Sequence, residues 1–270
     1  MNLVDTHCHI HEAAKPAGEL YARFPSADPD VMISTATAEG VNKMICVGTT
    51  LRDSHRAVEF AGQHSNVWAS IGLHPHEAKD YCEGSTLKQV ERDDFTLLAK
   101  EAKVVAVGEC GLDYYYNHSP KNQQITILKF QIELAISRGL PLIFHVREAF
   151  NDFWPILDLY PSVRGVIHSF TDSQDNLNEA LRRGLFIGVN GIATFAKEPE
   201  RLDVYKSIPL SSLLLETDSP FLTPTPYRGR MNEPKFVRQV AEYLSNIRGE
   251  DLSLLAVTTT NNAQKLFRLE

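Results

Sequence analysis

The chain has 270 residues, 43% of them hydrophobic and 23% charged, with a formal net charge of −7. That composition supports a sizeable buried core and excludes a low-complexity or disordered chain. The acidic balance excludes a protein that coats nucleic acid by electrostatics alone, which needs a basic face. It does not exclude an enzyme that draws a nucleic-acid end into a pocket where metal ions supply the positive charge.

No basic segment followed by an apolar run opens the chain, because Asp5, His7, His9 and His11 fall at its start. A secretory signal is therefore not expected. No apolar run approaches the ~20 residues that cross a bilayer, so no membrane association is expected either. Cys8, Cys46, Cys82 and Cys110 are scattered without a Cys-x-x-Cys pair. This suits a reducing cytoplasm better than a disulfide scaffold.

Taken in order, a short apolar run over 3–8 predicts a first strand. Residues 11–29 read as a loop broken by Pro16, Gly18, Pro25 and Pro29. A modest helix is expected over 30–39, a strand over 44–47, a helix over 53–63 and a strand over 67–71. The stretch 86–102 is polar and helix-prone. Residues 104–107 make a fourth strand, ending in Gly108-Glu109-Cys110-Gly111. Pro120 suits the first position of a long helix that reaches Arg138 and stops at Gly139. Strands follow over 141–144, 165–167, 185–189 and 213–216, with helices over 149–159 and 176–183. Helices over 233–246 and 251–267 close the chain. Eight short strands alternating with helices imply parallel βαβ crossovers, and a single-domain (β/α)8 TIM barrel over residues 1–270 is expected. An open doubly wound sheet fits less well, since no Gly-x-Gly-x-x-Gly follows the first strand.

The residues just after these strands carry the chemistry: His7 and His9, then His74, Glu109, His145, His168 and Asp218. In a strand His7 and His9 face one way and Cys8 the other, so two imidazoles can share an ion. Loops at the carboxyl ends of barrel strands converge on one mouth, which gathers residues that are distant in sequence. So many imidazoles and carboxylates exceed what one catalytic ion takes, since such an ion keeps a position open. Two divalent ions sharing a bridging hydroxide are expected, with Glu109 as the bridge and Asp218 beside His7 and His9. Asp218 would take a proton from water and pass it to the leaving oxygen.

Five stretches resemble the TatD family of metal-dependent hydrolases, a branch of the amidohydrolase-type barrels. They are Asp5-Thr6-His7-Cys8-His9, Gly108-Glu109-Cys110-Gly111-Leu112-Asp113-Tyr114, Phe144-His145, His168-Ser169-Phe170 and Glu216-Thr217-Asp218-Ser219-Pro220. The likeness continues through Arg228-Gly229-Arg230 to Asn261-Asn262-Ala263. It implies that His7, His9, Glu109 and Asp218 hold one ion, and that Glu109, His145 and His168 hold the other. It also implies a deoxyribonuclease that removes nucleotides from 3′ ends of single-stranded DNA. Mg or Mn would support activity, with Zn a further candidate, and His74 would contact substrate. Glu148 stands where the family carries Asp, and Thr171-Asp172 where it carries Ser-Gly; the latter bears on the pocket wall.

Arg147 and Arg228 are candidate phosphate contacts because a guanidinium fits phosphate bidentately, though each can equally pair with a carboxylate. Tyr114, Tyr115 and Tyr116 offer faces for a nucleobase or for barrel packing. Asp5 is expected to orient an imidazole. His76 is expected to face outward, and His11, His55, His64 and His118 to be solvated. Cys8 and Cys110 are read as packing residues. DNA ends are the expected partner, and no obligate protein partner is evident. The competing enzyme is a metal-dependent deacylase or amidase, since such a site attacks a carbonyl as well as a phosphorus.

Overall fold

The computed structural model describes residues 1–13, 21–22, 24–25 and 27–270. Eight strands form one parallel sheet: β1 (Leu3–Cys8), β2 (Val41–Val47), β3 (Val67–Ile71), β4 (Val104–Asp113), β5 (Leu142–Arg147), β6 (Gly165–Ile167), β7 (Phe186–Val189) and β8 (Leu213–Leu215). Each pairs with its neighbour in chain order, as short right-handed crossovers require. The sheet curls into a barrel whose last seam is closed near the site. There the Asp218 and His9 amides donate to the His7 and Ser219 carbonyls at 2.8 and 2.9 Å.

Side-chain parity along the strands separates two apolar layers. Met44, Cys46, Val67, Ala69, Leu142, Phe144, Ile187 and Leu215 point outward, into the layer shared with the helices. Val4, Ile45, Val47, Trp68, Val105, Ile143, Val166 and Leu214 alternate with them and form a separate interior cluster. Ala263, Leu266, Phe267 and Leu269 join that inner cluster from the end of the chain. Toward the carboxyl ends His145 and His168 continue the inward parity of Ile143 and Val166, and His7 and Glu109 join them across pairing irregularities in β1 and β4. An apolar floor thus carries a polar layer.

The helices around the barrel are α1 (Pro29–Ala38), α2 (Leu51–Gln63), α3 (Gln89–Leu98), α4 (Lys121–Arg138), α5 (Phe150–Leu157), α6 (Gln174–Arg182), α7 (Pro199–Ser207), α8 (Val237–Arg248) and α9 (Leu252–Phe267). Their ends follow local chemistry. Thr50 caps α2 by accepting from the Asp53 amide at 3.0 Å, and Asp251 caps α9 through the Leu254 amide at 2.9 Å. Gly139 ends α4 in the left-handed region at φ 64°. No helix among the described residues is long and apolar enough to cross a membrane.

Several boundaries differ from expectation. Pro29 opens α1 rather than closing the preceding loop, while Pro16 and Gly18 of that loop lie outside the described residues. Residues 86–102 begin as a two-residue ribbon, Thr86–Leu87 against Cys82–Glu83, before α3. Residues 199–207 form α7, which the apolar pattern does not signal. The largest difference is β4, which runs on to Asp113 because β5 pairs with it through Cys110↔Phe144, Gly111↔His145 and Asp113↔Arg147. Gly108 and Gly111 interrupt the apolar run, so locally it reads as a loop. Gly111 has φ 151°, and a Cβ there would strike the His145 carbonyl; only glycine lets β4 and β5 approach at this point.

Candidate active site

The polar layer is built around Glu109, near the middle of β4 and buried. Its Oε2 lies 3.5 Å from His7 Nε2, while Oε1 lies 3.0 Å from His145 Nδ1, 3.6 Å from His74 Nε2 and 3.9 Å from His168 Nε2. The two oxygens of one carboxylate therefore face different imidazoles. Burial alone would raise the pKa of this acid, but His74, His145, His7 and His168 outweigh that and hold it well below the usual range.

Next to it, His7 Nε2 and His9 Nε2 are 3.3 Å apart, and Asp218 Oδ1 is 3.7 and 3.5 Å from them. Ligand atoms at ~2.1 Å from one tetrahedral ion sit about 3.4 Å from each other. These three donors match that spacing, and two imidazole nitrogens pointed at one another have no better common partner than a cation. His9 follows the end of β1, whose pairing with β2 is irregular between Asp5 and Cys8, and Cys8 between the two imidazoles lies on the far side, contacting the Ile45 carbonyl. Asp218 is held in the left-handed region at φ 58° by the barrel seam. Burial opposes its ionisation, but the His9 contact and the His168 and His7 rings prevail and lower its pKa.

The outer nitrogens of three imidazoles are held from behind, which fixes ring orientation and leaves the inner nitrogen for the site. His9 Nδ1 lies 2.8 Å from the Val47 carbonyl, and His168 Nδ1 2.9 Å from Glu216 Oε1. His145 Nε2 lies 2.9 Å from Asp113 Oδ2. Glu216 is fully buried and also accepts from the Ser169 amide at 2.7 Å; Gly188 leaves it room, since a Cβ there would strike its carboxylate. Asp113 accepts from the amides of Tyr115 and Tyr116 as well, and His76 Nε2 sits 3.0 Å from it. Desolvation lowers the pKa of both rings' cationic forms, yet these carboxylates dominate: His145 is raised to about 9 and His168 to about 10. His74, whose Nδ1 accepts the His76 amide and whose Nε2 is 3.6 Å from Glu109, is pushed well below the usual histidine value by burial, which outweighs Glu109.

Sequence reasoning missed Glu216 and Asp113 as partners of His168 and His145. Each stands inside a motif already singled out, so the signal was proximity to a strand end. Asp5 differs from expectation. Its Oδ1 accepts from the His7 and Thr217 amides and its Oδ2 from the Thr217 hydroxyl, so it clamps backbone across the seam rather than orienting a ring.

The layer forms the floor of a cavity of about 940 Å³. His74, Arg147, Glu148, Thr171 and Asp172 line it, which puts the departures from the family pattern in its wall. Two expected substrate contacts do not reach it. Tyr114 donates its hydroxyl to Asp152 at 2.8 Å under the Lys121 ammonium, and Arg228 lies over the Phe195 ring at 4.4 Å. Arg201 from α7 lines the cavity instead. His76 and His118, expected to face solvent away from the site, line it too.

His11 is likewise not solvated. It is buried beside His9, with Nε2 2.8 Å from Asp53 Oδ1, and Glu12 pairs with Arg56 next to it. Burial disfavours the imidazolium, but Asp53 outweighs it and raises His11 to about 10. Asp53 also accepts from the Thr49 amide at 2.9 Å. Asp53→Ala would strip the buried His11 ring of the carboxylate that holds its proton and leave the Thr49 amide without an acceptor. A loss of about 3–5 kcal/mol in urea unfolding free energy is expected; a loss under ~1 kcal/mol would mean that the pair is effectively solvated.

This is a barrel-type metal-dependent hydrolase. The family described as TatD related DNase matches residues 4–268, and the chain belongs to that family. It is 36% identical over 269 residues to the Bacillus subtilis protein named uncharacterized metal-dependent hydrolase YabD, covering 99% of both chains. It is 37% identical over 250 residues to the Erwinia tasmaniensis protein named 3′-5′ ssDNA/RNA exonuclease TatD, covering 90% of this chain and 94% of that one. Among solved structures it superposes on the TatD homologue YjjV of Escherichia coli with a TM-score of 0.86 at 29% identity, covering 98% of each.

Proposed function

We propose that the protein is a two-metal 3′-5′ exonuclease acting on single-stranded nucleic-acid ends, DNA by preference. The observation that carries the reading is Glu109, whose oxygens face two separate groups of donors at the floor of an open cavity. His7, His9, Asp218 and Glu109 would hold one divalent ion, and Glu109, His145 and His168 the other. Mg or Mn suits catalysis at such a site, and imidazole also accepts Zn. When bound, such ions lower the pKa of a water, polarise a phosphoryl oxygen and offset charge in an in-line displacement.

The chain's own residues supply the rest. Asp218, ionised and facing the cavity, takes the proton from the attacking water and returns it to the leaving oxygen. Glu216 and Asp113 keep the His168 and His145 rings from turning. Arg147 on the wall offers a guanidinium to a flanking phosphate. The net acidic chain supports an enzyme that takes a flexible end rather than one that tracks along duplex.

A labelled single-stranded oligonucleotide with Mg or Mn should give a ladder from its 3′ end, while a closed circle remains intact. Arg147→Ala should raise KM more than it lowers kcat. Rapid hydrolysis of N-acyl amino acids with an untouched oligonucleotide would instead make the protein a deacylase.

A further inference from the structure

The loop after β4 carries a group of rings that the reaction above does not use. Tyr116 and His118 both line the cavity, and their rings lie within 5° of parallel with centroids 5.6 Å apart. Tyr116 is 49% exposed. Its backbone amide and that of Tyr115 both donate to Asp113 Oδ1. The Arg147 guanidinium lies over the Tyr115 and Tyr116 rings at 4.0 and 4.7 Å.

The group connects to the polar layer ring by ring. His76 meets both Tyr116 and His118 edge-on, at 5.4 and 4.6 Å, and meets His74 at 4.3 Å; His74 in turn faces Glu109. Asp113 ties the two ends together, because the carboxylate that fixes the Tyr116 backbone also holds His145 and His76. The exposed rings are therefore kept at a set distance from the reacting centre.

We propose that Tyr116 and His118, with the Arg147 guanidinium lying over the Tyr116 ring, form an aromatic and cationic shelf for a nucleobase adjoining the scissile phosphodiester. The shelf rests on the exonuclease reading above and specifies how that site grips its substrate. A planar base covers exposed aromatic surface irrespective of sequence, which suits an enzyme that must accept every terminal nucleotide in turn. The guanidinium over the Tyr115 and Tyr116 rings favours a base that carries a phosphate over a neutral aromatic ligand.

The test compares three substrates with the metal-replete enzyme: a single-stranded oligonucleotide, the same oligonucleotide with abasic sites flanking the first scissile bond, and methyl p-nitrophenyl phosphate. Tyr116→Ala should raise KM for the oligonucleotide about tenfold while leaving kcat/KM for the small phosphodiester unchanged. Tyr116→Phe should behave as wild type, because it keeps the ring. The abasic oligonucleotide should show the raised KM already with wild-type enzyme and no further rise with Tyr116→Ala. An unaltered oligonucleotide KM in Tyr116→Ala, or an equal loss on both ordinary substrates, overturns the shelf and leaves the exonuclease reading standing. A wild-type enzyme that hydrolyses the small phosphodiester but not the oligonucleotide overturns both.

Discussion

Replacing Glu109 by Gln is expected to cost both divalent ions and with them at least ~10²–10³ in turnover. The substitution keeps the side chain's size but removes its charge and one of its two acceptor oxygens. Both oxygens are engaged here: Oε2 faces His7, and Oε1 faces His145, His74 and His168. An amide presents a donor on one of these sides, so one set of imidazoles loses its acceptor outright. The same carboxylate offsets positive charge in a buried layer, so its loss also favours bare imidazoles over a loaded site. Metal content after dialysis, measured beside turnover and circular dichroism, checks the prediction. A folded Glu109→Gln protein with full occupancy and full activity would remove Glu109 as the bridge.

Asp218→Asn is expected to separate proton transfer from the second ion. A positioned acid–base group contributes about 10²–10⁴ in rate, and turnover should fall by that factor. The donors at Glu109, His145 and His168 are untouched, so one ion per chain should remain. The backbone favours a clean comparison. Asp218 sits at φ 58°, a conformation that asparagine adopts more readily than most other non-glycine residues. Its amide bond to the His7 carbonyl, which closes the barrel seam, is also kept. Kinetics at saturating metal, with metal content on the same sample, decide the matter. Unchanged turnover in the metal-replete variant would withdraw Asp218 as the base.

The parts of the molecule legible in the chain were those decided by local pattern. Apolar runs such as 67–71 and 165–167 coincide with β3 and β6, because a strand buried on both faces is predominantly apolar. The pairing of His7 with His9 was legible from their two-residue spacing, although the tertiary seam at Ser219 also holds His9 in place. The gathering of Glu109, His145, His168 and Asp218 follows from the rule that parallel strands deliver their carboxyl ends to one mouth.

Tertiary structure decided what depends on contacts between distant segments. Residues 108–113 became strand through pairing with β5, although their glycines read as a loop. Tyr114 and Tyr116 are two residues apart in one aromatic run, yet only Tyr116 reaches the cavity, because Asp113 and the His76 loop direct the chain there. Arg201 rather than Arg228 lines the wall, since α7, invisible to apolar periodicity, packs over that side. His11 and Asp53 lie 42 positions apart and neutralise each other only once β1 and α2 are docked. The sequence by itself thus determined the barrel and the identity of its polar layer, both products of strand periodicity. Which nitrogen each imidazole turns inward, and which rings border the cavity, had to await the tertiary structure, because hydrogen-bond partners and loop directions come from residues no local pattern connects.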